Sequence, residues 1–347
     1  MVTFPSGGYH SGSLAIADFN GDGKPDIAVS NFYSGTISVF LNQGGGQFSS
    51  PVVTTLQIPN TAGGIAVGDF NEDGRPDLIV ATVAGDQVDL VLLGNGDGTF
   101  TQVAPIPNSF GFSKGLVADF NRDKHLDFVG CSNGNISIAR GNGDGTFQPV
   151  SYLPAGPSPN SYFGCAAADF NGDGKLDVLG ADFTNDPDLI LYAGNGDGTF
   201  QVGLVIASGN DEPTSISMAD FGTGTMDILV GFESGAASYL SGNGDGGFSG
   251  SGGFASGSSN NLGATVLAVD LNNDGKIDAV ATSYSVGTLQ LVLNSSGSGF
   301  QASTSYNYGL AAGLADVATG DFNGDGLPDV VVVNSQTNQV TVLLSQK

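Results

Sequence analysis

A nine-residue phrase, first seen as DFNGDGKPD at residues 18–26, returns along the chain at an almost constant interval. Successive copies start 51, 50, 50, 51, 50 and 51 residues apart. The seven copies occupy residues 18–26, 69–77, 119–127, 169–177, 220–227, 270–278 and 321–329. A fixed period of this length is the signature of an architecture in which one supersecondary unit is repeated.

The phrase has the chemistry of a calcium loop. Numbered from its first Asp, each intact copy has carboxylates at positions 1, 5 and 9, Asn at position 3 and, in all but one copy, Gly at position 6. Calcium takes six to eight oxygen ligands, which alternating side chains on a tight turn can supply, and position 7 would add its backbone carbonyl. An all-oxygen set favours calcium over softer metals. We expect about six bound calcium ions.

The expected ligands at positions 1, 3, 5, 7 and 9 of the six intact loops are Asp18, Asn20, Asp22, Lys24 and Asp26; Asp69, Asn71, Asp73, Arg75 and Asp77; Asp119, Asn121, Asp123, His125 and Asp127; Asp169, Asn171, Asp173, Lys175 and Asp177; Asp270, Asn272, Asp274, Lys276 and Asp278; and Asp321, Asn323, Asp325, Leu327 and Asp329. The alternative is a polar turn without an ion. Three carboxylates within nine residues repel one another unless a cation lies among them, which favours the metal.

The seven copies are not equivalent. In the third loop Lys124 replaces the Gly at position 6, so we expect that site to be the weakest of the occupied ones. The fifth copy, DFGTGTMD, is one residue shorter and has Gly222 and Gly224 where ligands should stand, so we expect no ion there. The loops resemble the first nine positions of an EF-hand loop. They lack the Glu at position 12 and lead into an apolar run that is typical of a strand.

Each repeat contains four short runs rich in Val, Ile, Leu, Phe and Thr, without helical periodicity, separated by Gly-rich turns. Four strands in each of seven repeats predict an all-β, seven-bladed β-propeller with antiparallel blades, forming one domain over residues 1–347. The seventh repeat lacks its fourth strand, and the N-terminal VTFP resembles a fourth-strand segment. The N-terminal strand is therefore expected to complete the last blade, whereas an open solenoid would not need this exchange.

The segments DFNGDGKPDIAVSN and LLGNGDGTF resemble the FG-GAP or VCBS repeats of bacterial surface and secreted proteins. Such repeats are related to the N-terminal propeller of integrin α subunits and to integrin-like fungal lectins. The resemblance covers essentially the whole chain. It implies a propeller with calcium on one face and recognition elsewhere.

Charge restricts the partners. The chain has 9 Lys and Arg against 34 Asp and Glu, a formal net charge of −25. Most of the basic residues lie inside the loops, so no basic patch for nucleic acid or an anionic membrane can form. No apolar run is long enough to span a membrane. The first residues lack the pattern of a signal peptide, so we expect either a removed signal or a domain of a longer chain, as a monomer or part of that chain. Weak calcium loops suit an extracellular or cell-surface location.

Cys131 and Cys165 have apolar neighbours and are predicted to be buried free thiols. The alternative is a disulfide between adjacent blades, which needs Cα atoms within about 7 Å. His125 would contribute only its backbone to the third loop, and His10 is predicted to be a solvated surface residue.

The GNGDG segments at residues 94–98, 141–145, 194–198 and 242–246 are predicted to be hairpin turns, because no helix or Lys-Ser/Thr follows them as in phosphate loops. Two sets of Phe recur with the repeat and are predicted to form the core between blades: Phe19, Phe70, Phe120 and Phe170, and Phe48, Phe100, Phe147, Phe200, Phe248 and Phe300.

Alternating strand direction places the metal loops and the GNGDG turns on one face. The loops between second and third strands and between blades then share the opposite face, and these differ most among the repeats. Divergent loops on a repeated scaffold are the usual binding surface. Candidate contact residues there are Tyr9, His10, Phe32, Tyr33, Phe110, Phe112, Tyr162, Phe183, Phe232 and Tyr284. The alternative is that these rings only cover the blade ends.

The main functional prediction is a calcium-binding extracellular recognition or adhesion module, without catalysis, for a protein or glycan ligand. One alternative is a carbohydrate-binding lectin, although the chain has no Trp to stack on a sugar. A second is an enzyme of the polysaccharide lyase type. Lyases that act on uronates need cations or His/Tyr pairs in a groove, and only two His are available.

Overall fold

The computed structural model describes residues 1–57, 62–82, 88–132, 134–154, 162–183, 188–208, 211–255, 264–294, 300 and 303–346. Thirty β-strands and no helix occur among these residues. Consequently no described segment is a helix long and apolar enough to cross a membrane. The strands form seven four-stranded sheets and one additional two-stranded hairpin. The sheets are antiparallel blades, and the chain is a seven-bladed β-propeller, as the sequence predicted.

The strands of the first four blades follow the repeat in chain order. Strand β1 (Val2–Pro5) precedes blade 1 and belongs to the last blade. Blade 1 contains β2 (Ser11–Ala17), β3 (Asp26–Asn31), β4 (Thr36–Phe40) and β7 (Val52–Thr55), with the hairpin β5 (Asn42–Gly44) and β6 (Gln47–Phe48) between its last two strands. Blades 2 to 4 are β8 (Ala62–Gly68), β9 (Asp77–Thr82), β10 (Asp89–Gly94) and β11 (Phe100–Gln102); β12 (Lys114–Ala118), β13 (Asp127–Ser132), β14 (Asn135–Ala139) and β15 (Ser151–Tyr152); and β16 (Tyr162–Ala168), β17 (Asp177–Asp182), β18 (Asp188–Tyr192) and β19 (Leu204–Ser208).

The last three blades have the same order. They are β20 (Pro213–Ala219), β21 (Asp227–Phe232), β22 (Ala236–Gly242) and β23 (Phe248–Ala255); β24 (Ala264–Val269), β25 (Asp278–Ser283), β26 (Thr288–Asn294) and β27 (Ser303–Gly309); and β28 (Leu314–Gly320), β29 (Asp329–Asn334), β30 (Gln339–Leu343) and β1. Strand β1 pairs antiparallel with β30, with Val2 opposite Val342. The N-terminal strand therefore completes the last blade, which confirms that prediction.

By density of contacts the chain divides into two compact units. The first comprises Met1–Gly130, Ser137–Ser151 and Ala315–Lys347, and it contains blades 1, 2 and 7 and most of blade 3. The second comprises Cys131–Ile136 and Tyr152–Leu314, and it contains blades 4, 5 and 6. The organisation of residues 1–347 as one domain stays a prediction.

The second strand of each blade lies deepest. In β3, β9, β17, β25 and β29 every residue is buried. Near-continuous runs such as DIAVSN and DVVVVN suit a strand that is covered on both sides, because both of its faces must be apolar. Each of these strands begins with the position 9 Asp of its loop, so the candidate metal loops are fixed directly to the core.

The recurrent Phe residues join neighbouring blades. The ring that follows the first Asp of one loop packs edge-on against the ring that follows the Gly-rich turn of the next blade. The centroid distances are 5.7 Å for Phe19–Phe100, 5.4 Å for Phe70–Phe147, 5.8 Å for Phe170–Phe248, 5.4 Å for Phe221–Phe300 and 5.6 Å for Phe322–Phe48. Such edge-to-face pairs are favoured by the ring quadrupole. The predicted role of these rings as core between blades is confirmed.

The prediction of free thiols is wrong. Cys131 on β13 and Cys165 on β16 form a disulfide, with their Cα atoms 6.5 Å apart. Burial was predicted correctly, since Cys131 is 0% and Cys165 2% exposed. Their strands belong to adjacent blades, and the blade-to-blade distance falls within the span that a disulfide can bridge. The covalent bond therefore links blade 3 to blade 4.

Removal of this disulfide should destabilise the fold. The bond closes a loop over a sequence separation of 34 residues, which in the chain-entropy model stabilises by about 4 kcal/mol. We expect the Cys131→Ser/Cys165→Ser variant to lose about that free energy of unfolding in denaturant titrations. Reductant should lower the stability of the wild type after unfolding cycles and leave the variant unchanged. Equal unfolding midpoints for the two proteins would contradict the structure.

Candidate calcium loops and recognition edge

The first Asp of each loop organises the turn. In loop 1, Asp18 Oδ1 accepts hydrogen bonds from the amides of Gly21 and Asp22 at 2.8 and 3.0 Å, and Oδ2 accepts one from Gly23 at 2.7 Å. The backbone of Gly23 is left-handed, with φ 82°, a conformation that costs glycine little. The bonds to positions 5 and 6 recur at Asp69, Asp119, Asp169, Asp270 and Asp321.

The side chains at positions 3, 5 and 9 converge. In loop 3, Asn121 Nδ2 donates to Asp123 Oδ2 at 2.9 Å and lies 3.4 Å from Asp127 Oδ1. The same arrangement occurs in loop 7, where Asn323 Nδ2 lies 3.1 Å from Asp325 Oδ2 and 3.5 Å from Asp329 Oδ1. In both loops the NH2 group of the Asn side chain thus lies between two carboxylates. The Oδ1 of the same amide accepts the backbone amide of position 5, at 2.8 Å in both loops.

The position 9 Asp has a structural role that the sequence did not reveal. Asp26 is fully buried; its Oδ2 accepts the amide of Phe19 at 2.9 Å and its Oδ1 the amide of Asn42 at 2.7 Å. One carboxylate therefore joins the start of the loop to the end of the third strand. The position 9 residues of all seven repeats are 0% exposed: Asp26, Asp77, Asp127, Asp177, Asp227, Asp278 and Asp329. The signal in the sequence was that this Asp survives even in the decayed fifth copy.

Burial affects the ionisation of these carboxylates. Desolvation raises the pKa of Asp26 to about 6 and that of Asp127 to about 6, although the two backbone amides oppose the shift. The charges of Asp22 and Asp18 raise the pKa of Asp26 further. A cation close to the loop would favour the ionised form of each of these groups.

The basic residues at position 7 turn back onto position 5. Lys24 Nζ lies 2.8 Å from Asp22 Oδ2, and Lys175 Nζ lies 2.9 Å from Asp173 Oδ2. Arg75 makes the equivalent ion pair with Asp73 and also donates to the Gly94 carbonyl, while Lys276 lies at 3.8 Å from its Asp. These exposed pairs offset the local negative charge and contribute little stability. The metal role predicted for position 7, through its carbonyl, stays a prediction.

The oxygen atoms of the loops are of the chemical type that a hard cation prefers as ligands. Each intact loop brings carboxylate and amide oxygens to one turn, which is the set that calcium prefers. Within the described residues, however, no three His, Cys, Asp or Glu side chains are grouped so that they alone could hold a metal. The carboxylates at positions 1, 5 and 9 all accept backbone amides, so a bound ion would share their oxygens with these hydrogen bonds.

Loop 3 keeps the common backbone despite its substitution. Lys124 has φ 78° and Arg122 φ 65°, the left-handed values that glycines adopt in the equivalent positions of other loops. A residue with a Cβ is strained in this region. The imidazole Nδ1 of His125 lies 2.5 Å from Glu72 Oε1 of loop 2, and this hydrogen bond raises the pKa of His125. The loops of blades 2 and 3 are thus linked directly.

The decayed loop of blade 5 satisfies its own polar groups. Thr223 Oγ1 donates to the Asp227 carboxylate, 3.0 Å from both oxygens. Ser241 Oγ and Tyr239 Oη approach the same carboxylate at 3.2 and 3.3 Å. Asp220 Oδ1 accepts the amides of the turn. Hydroxyl groups here supply the partners that a cation would otherwise supply.

The Gly-rich turns lie on the same edge as the loops. The amide of Gly98 in the turn of blade 2 donates to the Phe19 carbonyl in the loop of blade 1, at 3.1 Å. Equivalent bonds join Gly145 to Phe70, Gly246 to Phe170 and Gly46 to Phe322. Within the turn of blade 2, Asp97 accepts from both the amide and the hydroxyl of Thr99. These segments are hairpin turns, as predicted.

The opposite edge carries the divergent loops. Parts of them, at residues 58–61, 83–87, 133, 155–161, 184–187, 209–210 and 256–263, lie outside the described residues. Of the candidate contact residues, Tyr9, Tyr33 and Phe110 are exposed. His10, Phe32, Phe183, Phe232 and Tyr284 are half-buried.

Two candidates are wrong as contact residues. Phe112 is buried against Phe128, with ring centroids 4.9 Å apart. Tyr162 is buried, and its hydroxyl lies 2.6 Å from that of Tyr192. Since strand side chains alternate between faces, the inward turn of Tyr162 puts Phe163 outside. Phe163 is exposed and packs on Phe183. The alternation of side chains along β16 was therefore the sequence signal that could have identified Phe163 as a candidate contact residue.

A buried acid holds the loop that carries Phe110. Asp89 stands at a register position that is apolar in other blades, where the residues are Ile37, Leu189, Ala237, Leu289 and Val340. Its amide donates to Ser109 Oγ at 2.7 Å, and the Ser109 hydroxyl donates to the Ile106 carbonyl at 2.9 Å. The Gly111 amide faces the Asp89 carboxylate, whose Oδ1 has no hydrogen-bond partner among the described residues. Burial raises the pKa of Asp89 to about 7. The exposed ring of Phe110 is thereby tied to the core.

Comparisons with known proteins agree with this architecture. A family model described as an FG-GAP-like repeat matches residues 18–80, 119–180, 169–230, 221–281 and 270–332, together more than half of the chain. Human integrin α-7 is 30% identical over 136 residues, which cover 34% of this chain and 12% of the integrin. The chain therefore corresponds to only a small part of these relatives.

Two lectins share the fold. A lectin from Agrocybe aegerita, described for specific recognition of non-reducing terminal N-acetylglucosamine, is 22% identical and aligns over 84% of this chain and 79% of its own with a TM-score of 0.58. A lectin from Burkholderia pseudomallei is 18% identical and aligns over 97% of both chains with a TM-score of 0.67. With its repeated loops, its blades and the extent of the family match, this chain belongs to the FG-GAP-like repeat family.

Proposed function

We propose that this chain is a calcium-stabilised recognition propeller of the extracellular environment, which binds a protein or glycan ligand on the edge opposite the calcium loops. The observation that carries the proposal is the contrast between the two edges. One edge repeats the same loop and turn with the same hydrogen bonds in blade after blade. The other carries unlike loops with exposed rings such as Tyr9, Tyr33 and Phe110.

Calcium is supported by the chemistry of the loops. Each intact loop gathers several oxygen donors on a turn whose amides are already satisfied by Asp and Asn side chains. The remaining negative charge is only partly offset by the basic residue at position 7. Calcium bound there would neutralise carboxylates that otherwise repel one another, and it would hold the loop against the second strand.

An extracellular location is supported by two observations. Disulfides such as Cys131–Cys165 form and persist mainly in oxidising compartments. Loops with few carboxylates available for the metal suit an environment with abundant calcium. The partial match to integrin α-7 points in the same direction.

The lectin alternative is a special case of recognition and is favoured by the two lectins of the same fold. A fold does not settle function, however, because propellers carry unrelated activities. A lyase that acts on uronates would need cations or a His/Tyr pair in a groove, together with a positive group that binds the uronate carboxylate. His10 lies 4.8 Å from the ring of Tyr33, but the hydrogen bonds and ring contacts of this pair, as far as the chain is described, involve no Lys or Arg. We therefore propose binding without catalysis.

Calcium should stabilise the chain strongly. A ligand at about 100 times its Kd adds about 2.7 kcal/mol per site, so several sites should raise the Tm by roughly ten degrees or more. The measurement is thermal unfolding with excess chelator, with calcium and with magnesium. Magnesium should substitute poorly because it demands octahedral geometry. Identical melting in chelator and in calcium would rule out the metal role.

The loops should bind calcium in a defined order. Equilibrium dialysis should give six ions per chain, matching the six intact loops, and Asp22→Asn should remove one. Thr223→Ala in the decayed loop is the matched control: it should lower stability without changing the number of ions. Lys124→Gly should tighten the weakest site, because glycine relieves the left-handed strain. A seventh ion, or an unchanged number in Asp22→Asn, would contradict the assignment.

Ligand binding should depend on the divergent edge. Arrays of glycans and extracellular matrix proteins should be probed with the wild type and with Phe110→Ala, Phe183→Ala and Asp22→Asn, with a thermal melt for each. Phe110→Ala should bind more weakly at nearly unchanged Tm, since an exposed ring supplies contact area. Phe183→Ala should also bind more weakly but melt somewhat earlier, because its half-buried ring packs on Phe163. Asp22→Asn should melt earlier and bind normally where folded. The reverse pattern would place the ligand on the calcium loops.

A further inference from the structure

We propose that Tyr9, His10, Phe32 and Tyr33, hereafter the blade 1 aromatic cluster, form a binding site for a neutral sugar ring. This inference rests on the proposed recognition function and names one site and one class of ligand for it. The cluster lies on the edge opposite the calcium loops, in the connection from β1 to β2 and in the turn from β3 to β4.

Three of the four rings, those of His10, Phe32 and Tyr33, form one continuous group, and Tyr9 adjoins it through its backbone hydrogen bonds to Tyr33 and Ser34. The His10 ring lies 4.8 Å from that of Tyr33 and 5.8 Å from that of Phe32, and the rings of Phe32 and Tyr33 lie 5.0 Å apart. Tyr9 is 70% and Tyr33 60% exposed, whereas His10 and Phe32 are half-buried and pack against the Tyr33 ring. Exposed aromatic faces on a half-buried base are suited to stack on the apolar face of a ring-shaped ligand.

The backbone beneath the rings is fixed. The amide of Tyr9 donates to Ser34 Oγ at 2.8 Å, and the amides of Phe32 and Tyr33 donate to the carbonyls of His10 and Tyr9 at 3.0 and 3.2 Å. The His10 amide donates to Asn338 Oδ1 at 2.6 Å, in the turn between β29 and β30. His10 adopts a left-handed φ of 57°, a strained conformation that surrounding structure must impose. A rigid site loses little conformational entropy on binding.

The rings also offer polar atoms. Among the described residues, none makes a hydrogen bond with the hydroxyl of Tyr9, the hydroxyl of Tyr33 or the imidazole nitrogens of His10. Aromatic faces with hydrogen-bonding groups at their rims match a sugar, which has an apolar face and hydroxyls around its edge. A purely apolar partner would leave these polar atoms unsatisfied.

Charge and size select among ligands. The chain has a formal net charge of −25, and the contacts of the cluster within the described chain include no Lys or Arg, so a uronate or sialic acid finds no cation to pair with. A stable protein interface buries about 800 Å² on each partner. Three rings within about 6 Å of one another, with Tyr9 next to them in the chain, match a mono- or disaccharide better than such an interface.

The test uses the full chain with calcium, labelled with 3-fluorotyrosine, and fluorine NMR. The chain has 9 Tyr and no Trp, and the resonances of Tyr9 and Tyr33 are assigned with Tyr9→Phe and Tyr33→Phe. The probes are methyl glycosides of glucose, galactose, mannose, N-acetylglucosamine and N-acetylgalactosamine, with methyl glucuronide and a methyl sialoside as anionic probes. At least one neutral glycoside should shift both resonances saturably, and neither anionic probe should do so.

Variants then test the cluster itself. Tyr9→Ala and Tyr33→Ala should each weaken binding of the active glycoside by about tenfold or more. His10→Asn should also weaken it, because Asn tolerates the left-handed backbone and lacks the ring. The matched control is Tyr152→Ala, since Tyr152 is 47% exposed and belongs to the outer strand of blade 3 and not to the blade 1 aromatic cluster. It should bind as the wild type does, and thermal melts confirm that each variant is folded.

Three results would overturn the proposal. If no neutral glycoside moves either resonance, the cluster is not a sugar site; recognition itself still stands if the array ligands depend on Phe110 or Phe183. If an anionic glycoside shifts the resonances or a polyuronate is cleaved, the cluster serves uronate chemistry. If the Tyr variants lose a protein ligand while no glycoside binds, the cluster is a protein interface.

Discussion

The buried carboxylate at the end of each loop is the interaction on which the rest of the structure depends. It accepts the amide of the second loop residue with one oxygen and, with the other, an amide at the end of the third strand, as Asp26 does with Phe19 and Asn42. Loop, second strand and third strand are thereby fixed in one contact. The decayed blade 5 keeps this contact through Asp227, although its loop lacks the Asn and Asp that the other loops have at positions 3 and 5.

The same edge also joins neighbouring blades. A loop Phe packs against the Phe that follows the next turn, and a turn amide binds the carbonyl of that loop Phe, as in Phe19, Phe100 and Gly98. These contacts use the repeated residues, so a change in the loop phrase would disturb two blades at once. The opposite edge has no such shared phrase, and its loops are free to differ in length and composition. Calcium, if bound, would therefore reinforce the edge that holds the scaffold and leave the other edge for recognition.

The aromatic cluster and the loop of Phe110 illustrate how exposed rings on the divergent edge are held in fixed positions. Tyr9 and Tyr33 are exposed, yet the Tyr33 amide donates to the Tyr9 carbonyl. The amides of Tyr9 and His10 in turn donate to the side chains of Ser34 and Asn338. Phe110 is held between residues that contact the buried Asp89. In both places an exposed ring is placed by polar contacts specific to one blade, so each blade can present a different surface on a common frame.

The sequence by itself determined the blade number, the four strands of each blade, the repeated Asp-rich loop, the Gly-rich turns and the exchange of the N-terminal strand. Each of these depends on local patterns or on a fixed period, which tertiary packing does not alter. Only the tertiary structure decided that Cys131 bonds to Cys165, that Phe112 and Tyr162 turn inward while Phe163 turns out, and that Asp26 and its equivalents are buried braces. These outcomes depend on distances between strands far apart in sequence and on which face of a strand meets its neighbour, and a single sequence does not record either quantity.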